Sequence, residues 1–257
     1  MSAPAPVPCE LLPWDTGFFR CRIARIREDT LRLEPATQID DWSRQNRIQC
    51  LYFLARTDDP ATIQTAEQHG FKLVDIRMTF EREMMRSPEL VHPELPTGVS
   101  IRSVQSADLP GLQAMARAAH KGTRFFNDSH FPRQRVEDLY STWLTLETQG
   151  RAQTVLVAAS VANQPLGYIS CHLDSNHRAG QIGLVGVSPE AQGRGIGKNL
   201  VLAALDWFGT EGARMVTVVT QGNNLPAQRL YQRCGFLSRA LQLWYHKWYP
   251  VVSEPQA

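Results

Sequence analysis

The sequence lacks the features that mark nucleic-acid-binding, membrane-spanning and secreted proteins. Its 257 residues include 27 Lys and Arg against 25 Asp and Glu, and a net charge of +2 gives no reason to expect nucleic acid or an anionic membrane as a partner. No apolar run approaches the roughly 20 residues of a membrane span. Residues 1–14 lack the basic and then apolar segments of a secretion signal. We therefore expect a cytoplasmic protein.

Cysteine is sparse and irregularly spaced. The five cysteines are an odd number and include no C-x-x-C pair, which argues against a disulfide framework and against the common zinc motifs. Hydrophobic residues make up 43% of the chain, enough for a globular core. We expect reduced thiols and no bound metal at Cys9, Cys21, Cys50, Cys171 and Cys234.

Proline and glycine divide the chain. Three prolines and a glycine interrupt any regular pattern between residues 86 and 98. We therefore predict an N-terminal α/β domain over 9–86, a linker over 87–97 and a second domain over 98–249. The Pro- and Ala-rich start and the polar C-terminal tail are predicted to be disordered.

The second domain alternates strand-like and helical patterns. A strand near residue 100 is followed by a helix that Ser106 or Asp108 would cap. Three strand-like stretches, "TVLVAAS", "PLGYISCHL" and "QIGLVGVS", then precede a glycine-rich loop and a helix. A further strand and helix lead to "FLSRALQLWYHKWY", a strand or hairpin. This order predicts a three-layer α/β fold with a mixed central sheet.

The glycine-rich loop, residues 192–198, joins an apolar strand to an amphipathic helix. Glycines let backbone N–H groups approach an anion closely at a helix N-terminus, and Arg194 and Lys198 add positive charge. Gln192 stands where a Walker A loop has its first glycine, and Lys198 stands where the dinucleotide fingerprint has its third. The residues match Q-x-x-G-x-G instead, through Gln192, Gly195 and Gly197.

A second motif follows the next strand. The pattern N-x-x-A-x-x-L-Y-x-x-x-G-F is met by Asn224, Ala227, Leu230, Tyr231, Gly235 and Phe236. With both motifs in this order, the chain resembles the GCN5-related N-acetyltransferase (GNAT) superfamily. The resemblance implies a GNAT fold and acetyl-CoA as co-substrate, without a metal. It implies that acetyl-CoA is bound by Val185, Val187, Gln192, Gly193, Arg194, Gly195, Ile196, Gly197, Lys198, Asn224, Ala227 and Tyr231.

The resemblance also implies a role for Tyr231. When an amine attacks a thioester, a nearby phenol can protonate the departing thiolate, and family members assign this to the tyrosine of the second motif. The base that accepts the amine's proton stays open: His172 is a candidate on its strand, and Asp128, His130 and Glu147 are others.

The residues that indicate the acetyl acceptor are aromatic and charged. Trp-Asp-x-x-Phe-Phe at 14–19, Arg-Phe-Phe at 124–126, and Tyr140 with Trp143 resemble the sugar-nucleotide branch of the superfamily. That branch implies a nucleotide-linked amino sugar of the dTDP-4-amino-4,6-dideoxyhexose type, for surface polysaccharide synthesis, and it leaves a homodimer open. The expected acceptor-binding residues are Arg124, Phe125, Asp128, Tyr168 and His172. Two alternatives stay open: acetylation of a protein, peptide or small amine, and a non-catalytic acyl-CoA-binding module.

A short internal echo links the two predicted domains. Residues 65–83 and 230–248 share one plan, a helix end, Gly-Phe and a strand, but no Q-x-x-G-x-G loop precedes the first copy. Two interpretations stand side by side: a degenerate GNAT-like half that lost its cofactor site, or the common helix–Gly–strand punctuation.

Overall fold

The computed structural model describes residues 8–85, 93–119 and 121–250. Predictions for the two chain ends and for linker residues 87–92 fall mostly or wholly outside this part of the chain. The described chain divides into two compact units that are not contiguous in sequence. Unit 1 comprises residues 8–77, 123–131 and 241–250, and unit 2 comprises 78–85, 93–119, 121–122 and 132–240. The predicted division at 87–97 stays a prediction.

Strands and helices alternate along the chain from β1 to β4, whereas later parts contain consecutive helices and consecutive strands. The first seven are β1 (Cys9–Leu11), α1 (Pro13–Phe19), β2 (Ile23–Ile26), α2 (Leu33–Gln45), β3 (Cys50–Arg56), α3 (Pro60–Gln68) and β4 (Lys72–Glu83). The next seven are β5 (Val99–Ser103), α4 (Leu109–Ala119), α5 (Arg124–Asn127), α6 (Arg133–Leu146), β6 (Thr154–Ser160), β7 (Pro165–Leu173) and β8 (Ala179–Val187). The last four are α7 (Ile196–Thr210), β9 (Met215–Gln221), α8 (Leu225–Arg233) and β10 (Leu237–Trp248).

Unit 2 contains a mixed sheet, as the sequence predicts. Its strand order is β4-β9-β8-β7-β6-β5, in which β8 and β9 are parallel while β5 to β8 pair antiparallel. Alternation along β7 sends Ile169 and Cys171 into the core that they share with α7. The opposite face carries Tyr168 and His172, and the end of α6 lies beside His172. Helices therefore cover both faces, and the predicted three-layer α/β fold is confirmed.

Unit 1 contains the strands β1, β2 and β3 and the C-terminal part of β10. β1 and β2 pair antiparallel, β2 and β3 are parallel, and residues 242–248 of β10 pair antiparallel with β3. Helices α2 and α3 contribute Ala36, Ile39 and Ala66 to a buried core with β3. The end of the chain forms one long strand, so the hairpin alternative for residues 236–249 is wrong.

The start of α4 differs from the predicted cap. A 3₁₀ turn over Ser106–Asp108 leads into the helix. The Asp108 carboxylate accepts a hydrogen bond from the Gln105 N–H at 2.8 Å and pairs with Arg102 at 2.7 Å. Asp108 therefore closes the turn from inside. The residue that precedes the combined 3₁₀ and α-helical segment is Gln105, so neither Ser106 nor Asp108 is its N-cap.

The internal echo has a structural counterpart. Gly70 after α3 and Gly235 after α8 both adopt left-handed backbone, with φ of 78° and 79°. The phenylalanine that follows each glycine, Phe71 or Phe236, donates its N–H at 3.0 Å to the carbonyl five residues earlier. The strand–helix–strand segments β3-α3-β4 and β9-α8-β10 thus share helix-terminating geometry, while residues 27–32 between β2 and α2 contain no glycine.

Candidate active site

The glycine-rich loop ends at the first turn of α7 in unit 2. Gly193 and Gly195 have φ of 75° and 79°, a backbone region that side chains rarely adopt. A Cβ at Gly193 would meet nothing within 4 Å, so conformation rather than space requires glycine there. Gly195 precedes Ile196 as the capping residue, and no side chain of the described residues caps the helix. The first N–H groups of α7 are therefore available to an anion.

The cleft in unit 2 begins where two parallel strands separate. The pairing of β8 with β9 ends at Ile182 and Val218, although both strands continue. Opposite β7, the register of β8 shifts between Ile169 and Cys171, so that two residues of β8 oppose Ser170. The Leu184 N–H donates to the Ser170 hydroxyl at 2.8 Å across this bulge. The bulge and the separation together give β8 an edge that faces the cleft.

The cleft has a volume of about 820 Å³. It brings together the glycine loop, the edge of β8, the end of β9 and the first half of α8. Every residue expected to bind acetyl-CoA lines it except Arg194, whose side chain is exposed. Tyr140 and Trp143 of α6 also line it, in an edge-to-face pair with centroids 5.3 Å apart.

Several lining residues were not predicted from the sequence. They are Gly183, Leu184 and Gly186 of β8, Val219, Thr220 and Gln221 of β9, and Ala119, Ala191, Pro226, Leu230 and Arg233. The sequence does indicate that the β9 residues lie at the cleft. Strands β8 and β9 are joined through a helix, and the carboxyl ends of such parallel strands meet at one sheet edge. No sequence feature indicates the place of Gly183 and Leu184, because the bulge that they form depends on how β8 pairs with β7.

Tyr231 lies at the cleft on α8. Asn224 caps this helix through a hydrogen bond from the Ala227 N–H to its side chain at 3.3 Å. The Tyr231 ring packs against Phe80 and Phe236, with centroids 6.0 Å from each. Burial raises the pKa of the Tyr231 phenol well above its usual range. The hydroxyl is therefore protonated at neutral pH and is available as a proton donor.

Of the two expected acceptor-binding residues in unit 2, neither lines the cleft. The Tyr168 ring is fully buried, and a Cβ at Gly186 would lie 2.6 Å from it. His172 is partly exposed, and its Nε2 lies 2.6 Å from Oε2 of the buried Glu147. Direct contact of Tyr168 and His172 with an acceptor stays a prediction.

The other expected acceptor-binding residues lie in unit 1, around Asp128. Its Oδ2 accepts hydrogen bonds from His246 Nδ1 at 2.7 Å and from Trp248 Nε1 at 2.8 Å, and His130 lies 2.8 Å from Oδ1. Burial acts to raise the pKa of Asp128, but these hydrogen bonds outweigh it and hold the pKa well below its usual range. Asp128 is an ionised group that positions the rings around it.

Arg124 completes this cluster. Its guanidinium carbon lies 4.2 Å from the ring centroids of Tyr52, Phe125 and Trp244, and its Nη1 donates to His246 Nε2 at 3.1 Å. Burial lowers the pKa of His246 to about 4, with a smaller contribution from Arg124. Neutral His246 therefore links the Asp128 carboxylate to the Arg124 guanidinium, which is stacked on three aromatic rings.

The described part of the chain contains neither a metal site nor a membrane-spanning helix. No group of three His, Cys, Asp or Glu side chains is arranged to hold a metal ion there. No helix among these residues is long and apolar enough to span a membrane.

Comparison with known proteins identifies the family. The model of the Acetyltransferase (GNAT) family matches residues 118–236. A mycothiol acetyltransferase from Actinosynnema mirum is 32% identical over 72% of this chain and 59% of its own length. The spore coat polysaccharide biosynthesis protein SpsD from Bacillus subtilis is 26% identical over 63% of this chain and 55% of its own length. The chain thus spans just over half the length of these curated relatives.

Solved structures share the fold. A GCN5-related N-acetyltransferase from Sphaerobacter thermophilus superposes with a TM-score of 0.69 over 93% of this chain and 76% of its own, at 18% identity. A tandem GNAT protein from the clavulanic acid biosynthesis pathway superposes with a TM-score of 0.62 over 88% of this chain and 75% of its own, at 17% identity. The two sequence motifs, the fold and these matches agree: the chain belongs to the GNAT family, and residues 118–236 carry its acetyltransferase domain.

Proposed function

We propose that the protein is an N-acetyltransferase that moves the acetyl group of acetyl-CoA to the amino group of a nucleotide-linked amino sugar. The observation that carries the transferase part is the cleft of unit 2. It runs from separated parallel strands to an uncapped helix N-terminus and has a buried phenol at its side. The acceptor is of the dTDP-4-amino-4,6-dideoxyhexose type.

The residues of the cleft fit acetyl-CoA. Backbone N–H groups of 193–198 and the Lys198 ammonium suit a diphosphate. The edges of β8 and β9 beyond Ile182 and Val218 offer backbone donors and acceptors to an arm that contains amides. Acetyl-CoA supplies a thioester carbonyl that an amine can attack. Gln192 helps to shape the loop, because its side chain donates to the Val187 carbonyl at 3.2 Å.

In this proposal Tyr231 is the general acid. Direct attack by a neutral amine expels a thiolate, and a phenol held protonated by burial can give that sulfur a proton. A module that only binds acyl-CoA has no use for such a donor. The presence of Tyr231 in the cleft therefore favours catalysis over binding alone.

The nucleotide-sugar acceptor is supported by chemistry and by one relative. Aromatic rings such as Tyr140 and Trp143 suit the apolar face of a sugar or base, and the cationic Arg124 suits a diphosphate. SpsD, 26% identical, is named for polysaccharide biosynthesis. We assign acceptor binding to Arg124 and Phe125, with Asp128 positioning Arg124 through His246, and to the surroundings of Tyr168 and His172.

A second candidate acceptor follows from the other relatives. Mycothiol acetyltransferases from several organisms are 26–32% identical to this chain. An amine on a small thiol-bearing sugar conjugate is therefore the rival acceptor.

One acceptor panel decides between them. Release of free CoA thiol is measured with a dTDP-linked 4-amino sugar, the amine precursor of mycothiol, spermidine and a lysine peptide. We expect the highest kcat/KM with the nucleotide sugar. Preference for the mycothiol precursor supports the rival, and preference for spermidine or the peptide supports a general amine acetyltransferase. Binding of acetyl-CoA without turnover of any amine would make the protein an acyl-CoA-binding module.

A further inference from the structure

Glu147 is a buried carboxylate with an unusual partner. It lies directly after α6, at the start of a π-helical turn over Glu147–Arg151, and is 6% exposed. Its Oε2 is 2.6 Å from His172 Nε2, but it has no well-directed hydrogen bond within the described residues. A buried carboxylate oxygen without such a bond is costly, so its retention calls for a physical reason.

The pair lies behind one end of the cleft wall. A Cβ at Gly183 would be 2.8 Å from His172 Nε2, and Gly183 itself lines the cleft. Trp143, four residues before Glu147 and so on the same face of α6, lines the cleft as well. Only the missing side chain of Gly183 leaves room for the imidazole beside the strand.

Gly183 marks the end of the cleft that is remote from the glycine loop. The five residues from Gly183 to Val187 span about 13 Å of extended strand, and the glycine-rich loop 192–198, which suits a diphosphate, follows further along the chain. In CoA the thioester is at the opposite end of the molecule from the diphosphate. The reacting carbonyl of a bound acetyl-CoA therefore belongs near Gly183 and the pair behind it.

We infer that the Glu147–His172 pair accepts the proton of the acceptor amine, with His172 as the catalytic base and Glu147 as the residue that positions it. This inference rests on the proposed function. His172 is the more accessible partner, with 26% of its side chain exposed against 6% for Glu147. An imidazole is also the side chain best suited to take up a proton near neutral pH.

Few other ionisable groups face the His172 ring. From the turn after α6 these are the Glu147 carboxylate and, behind it, Arg151, whose Nε lies 3.7 Å from Glu147 Oε1. The residues of β8 opposite and beside the ring are Gln181 and Gly183, neither of which titrates. A carboxylate beside the imidazole stabilises the imidazolium that forms when the proton arrives.

The proposed acetyl transfer is balanced in protons and bonds. The acceptor arrives as an ammonium with three protons; one passes to His172 and from there to solvent, which frees the lone pair. The nitrogen forms a bond to the thioester carbon, the C–S bond breaks, and the sulfur leaves with the electron pair and the Tyr231 proton. The nitrogen then releases a second proton, which replaces the one that Tyr231 gave. The products are an N-acetyl amide, CoA thiol and one proton in solvent.

The kinetic test compares two His–Glu pairs of the same unit. His172→Gln should lower kcat by about 10²- to 10⁴-fold, the usual worth of a positioned base, with unchanged acetyl-CoA affinity by calorimetry. Glu147→Gln should lower kcat less, also with unchanged acetyl-CoA affinity, because it leaves the imidazole in place but removes the carboxylate that positions it. The exposed pair His177 and Glu211, 3.7 Å apart, supplies the controls His177→Asn and Glu211→Gln, which should change neither quantity.

Two results would overturn the inference while leaving the proposed function intact. One is a wild-type protein that acetylates an amine while His172→Gln keeps kcat within about twofold, since a positioned base is worth far more. The other is a Glu147→Gln protein that keeps the wild-type kcat. If the wild-type protein acetylates no amine of the panel, the proposed function fails and the inference fails with it.

Discussion

Two buried rings, Tyr231 in unit 2 and His246 in unit 1, show how burial shifts the pKa of a side chain. Burial disfavours the charged form, so it raises the pKa of the tyrosine and lowers that of the histidine. Both groups are therefore neutral at pH 7. A neutral phenol can donate a proton, and a neutral imidazole can donate to Asp128 while it accepts from Arg124.

Tyr231→Phe tests the general acid. The change removes one hydroxyl and keeps the ring against Phe80, so packing should change little. We expect kcat to fall about 10²- to 10⁴-fold with nearly unchanged acetyl-CoA affinity, because the hydroxyl acts on the departing thiolate and not on the bound thioester. Steady-state kinetics and calorimetry measure the two quantities.

Tyr245→Phe is the matched control for that change. Its hydroxyl donates to Glu67 at 3.3 Å in unit 1 and has no place in the cleft, so kcat should be retained. A Tyr231→Phe protein with near-normal kcat would leave Tyr231 as a packing residue, and the thiolate would then need a different donor.

His246 should make the stability of the protein depend on pH. Its pKa is about 4 in the folded protein, against about 6.5 in an unfolded chain. Its contribution is therefore full above about pH 6.5 and is lost as the pH falls towards 4, by an amount on the order of 3 kcal/mol. Asp128, whose pKa is lowered, loses its contribution at still lower pH.

The measurement is the thermal midpoint by circular dichroism between pH 7.5 and 4. In His246→Gln the slope between pH 6.5 and 4 should be shallower than in the wild-type protein, since the amide can still donate to Asp128 but does not titrate. His177→Asn, at an exposed histidine, should keep the wild-type slope. Equal slopes in all three proteins would mean that His246 does not carry this dependence.

At the scale of single elements, the local signals in the sequence held where structure depends on nearby residues. Strands β6 and β7 occupy the residues that the apolar patterns predict, and α8 lies between Asn224 and Gly235 of the second motif. The start of α4 was wrong because Asp108 bonds back to Gln105 inside the turn. Glu147 was one of several candidate bases, and no local pattern could pair it with His172, because the two residues lie on different elements.

Two substitutions at the N-terminus of helix α7 distinguish the effect of negative charge from the effect of backbone strain. Gly195→Asp and Gly195→Asn both force a side chain into the left-handed backbone at φ 79°, and both have nearly the same size. Only Asp places a negative charge at the helix N-terminus beside the expected diphosphate. We expect the KM for acetyl-CoA to rise far more in Gly195→Asp than in Gly195→Asn, with little change in the acceptor KM. Equal KM values for the two variants would count against a diphosphate at this loop.

At the scale of the whole molecule, the two compact units are each built from separate segments of the sequence. Residues 123–131 and 241–250 belong to unit 1 although they follow the start of unit 2 in sequence. No local pattern predicts this, because the pairing of Tyr245 with Phe53 joins residues nearly two hundred positions apart. The shared turn after α3 and α8 is the one trace of repetition that the sequence carries, and it is visible because Gly-Phe recurs.

At this scale, inhibition by free dTDP tests whether the acceptor is a nucleotide sugar. If the protein binds the nucleotide of its acceptor, dTDP should be a competitive inhibitor against the amino sugar. It should not compete with acetyl-CoA, because the diphosphate of CoA is expected to bind separately at residues 193–198. Arg124→Leu should raise the inhibition constant for dTDP by at least about tenfold if its guanidinium meets the diphosphate, the worth of one charged contact. Arg239→Leu removes an exposed cation that pairs with Glu81 in unit 2, and it should leave inhibition unchanged. Initial-rate measurements with each substrate varied in turn separate the patterns. A protein indifferent to dTDP that turns over the mycothiol precursor would move the assignment to the rival acceptor.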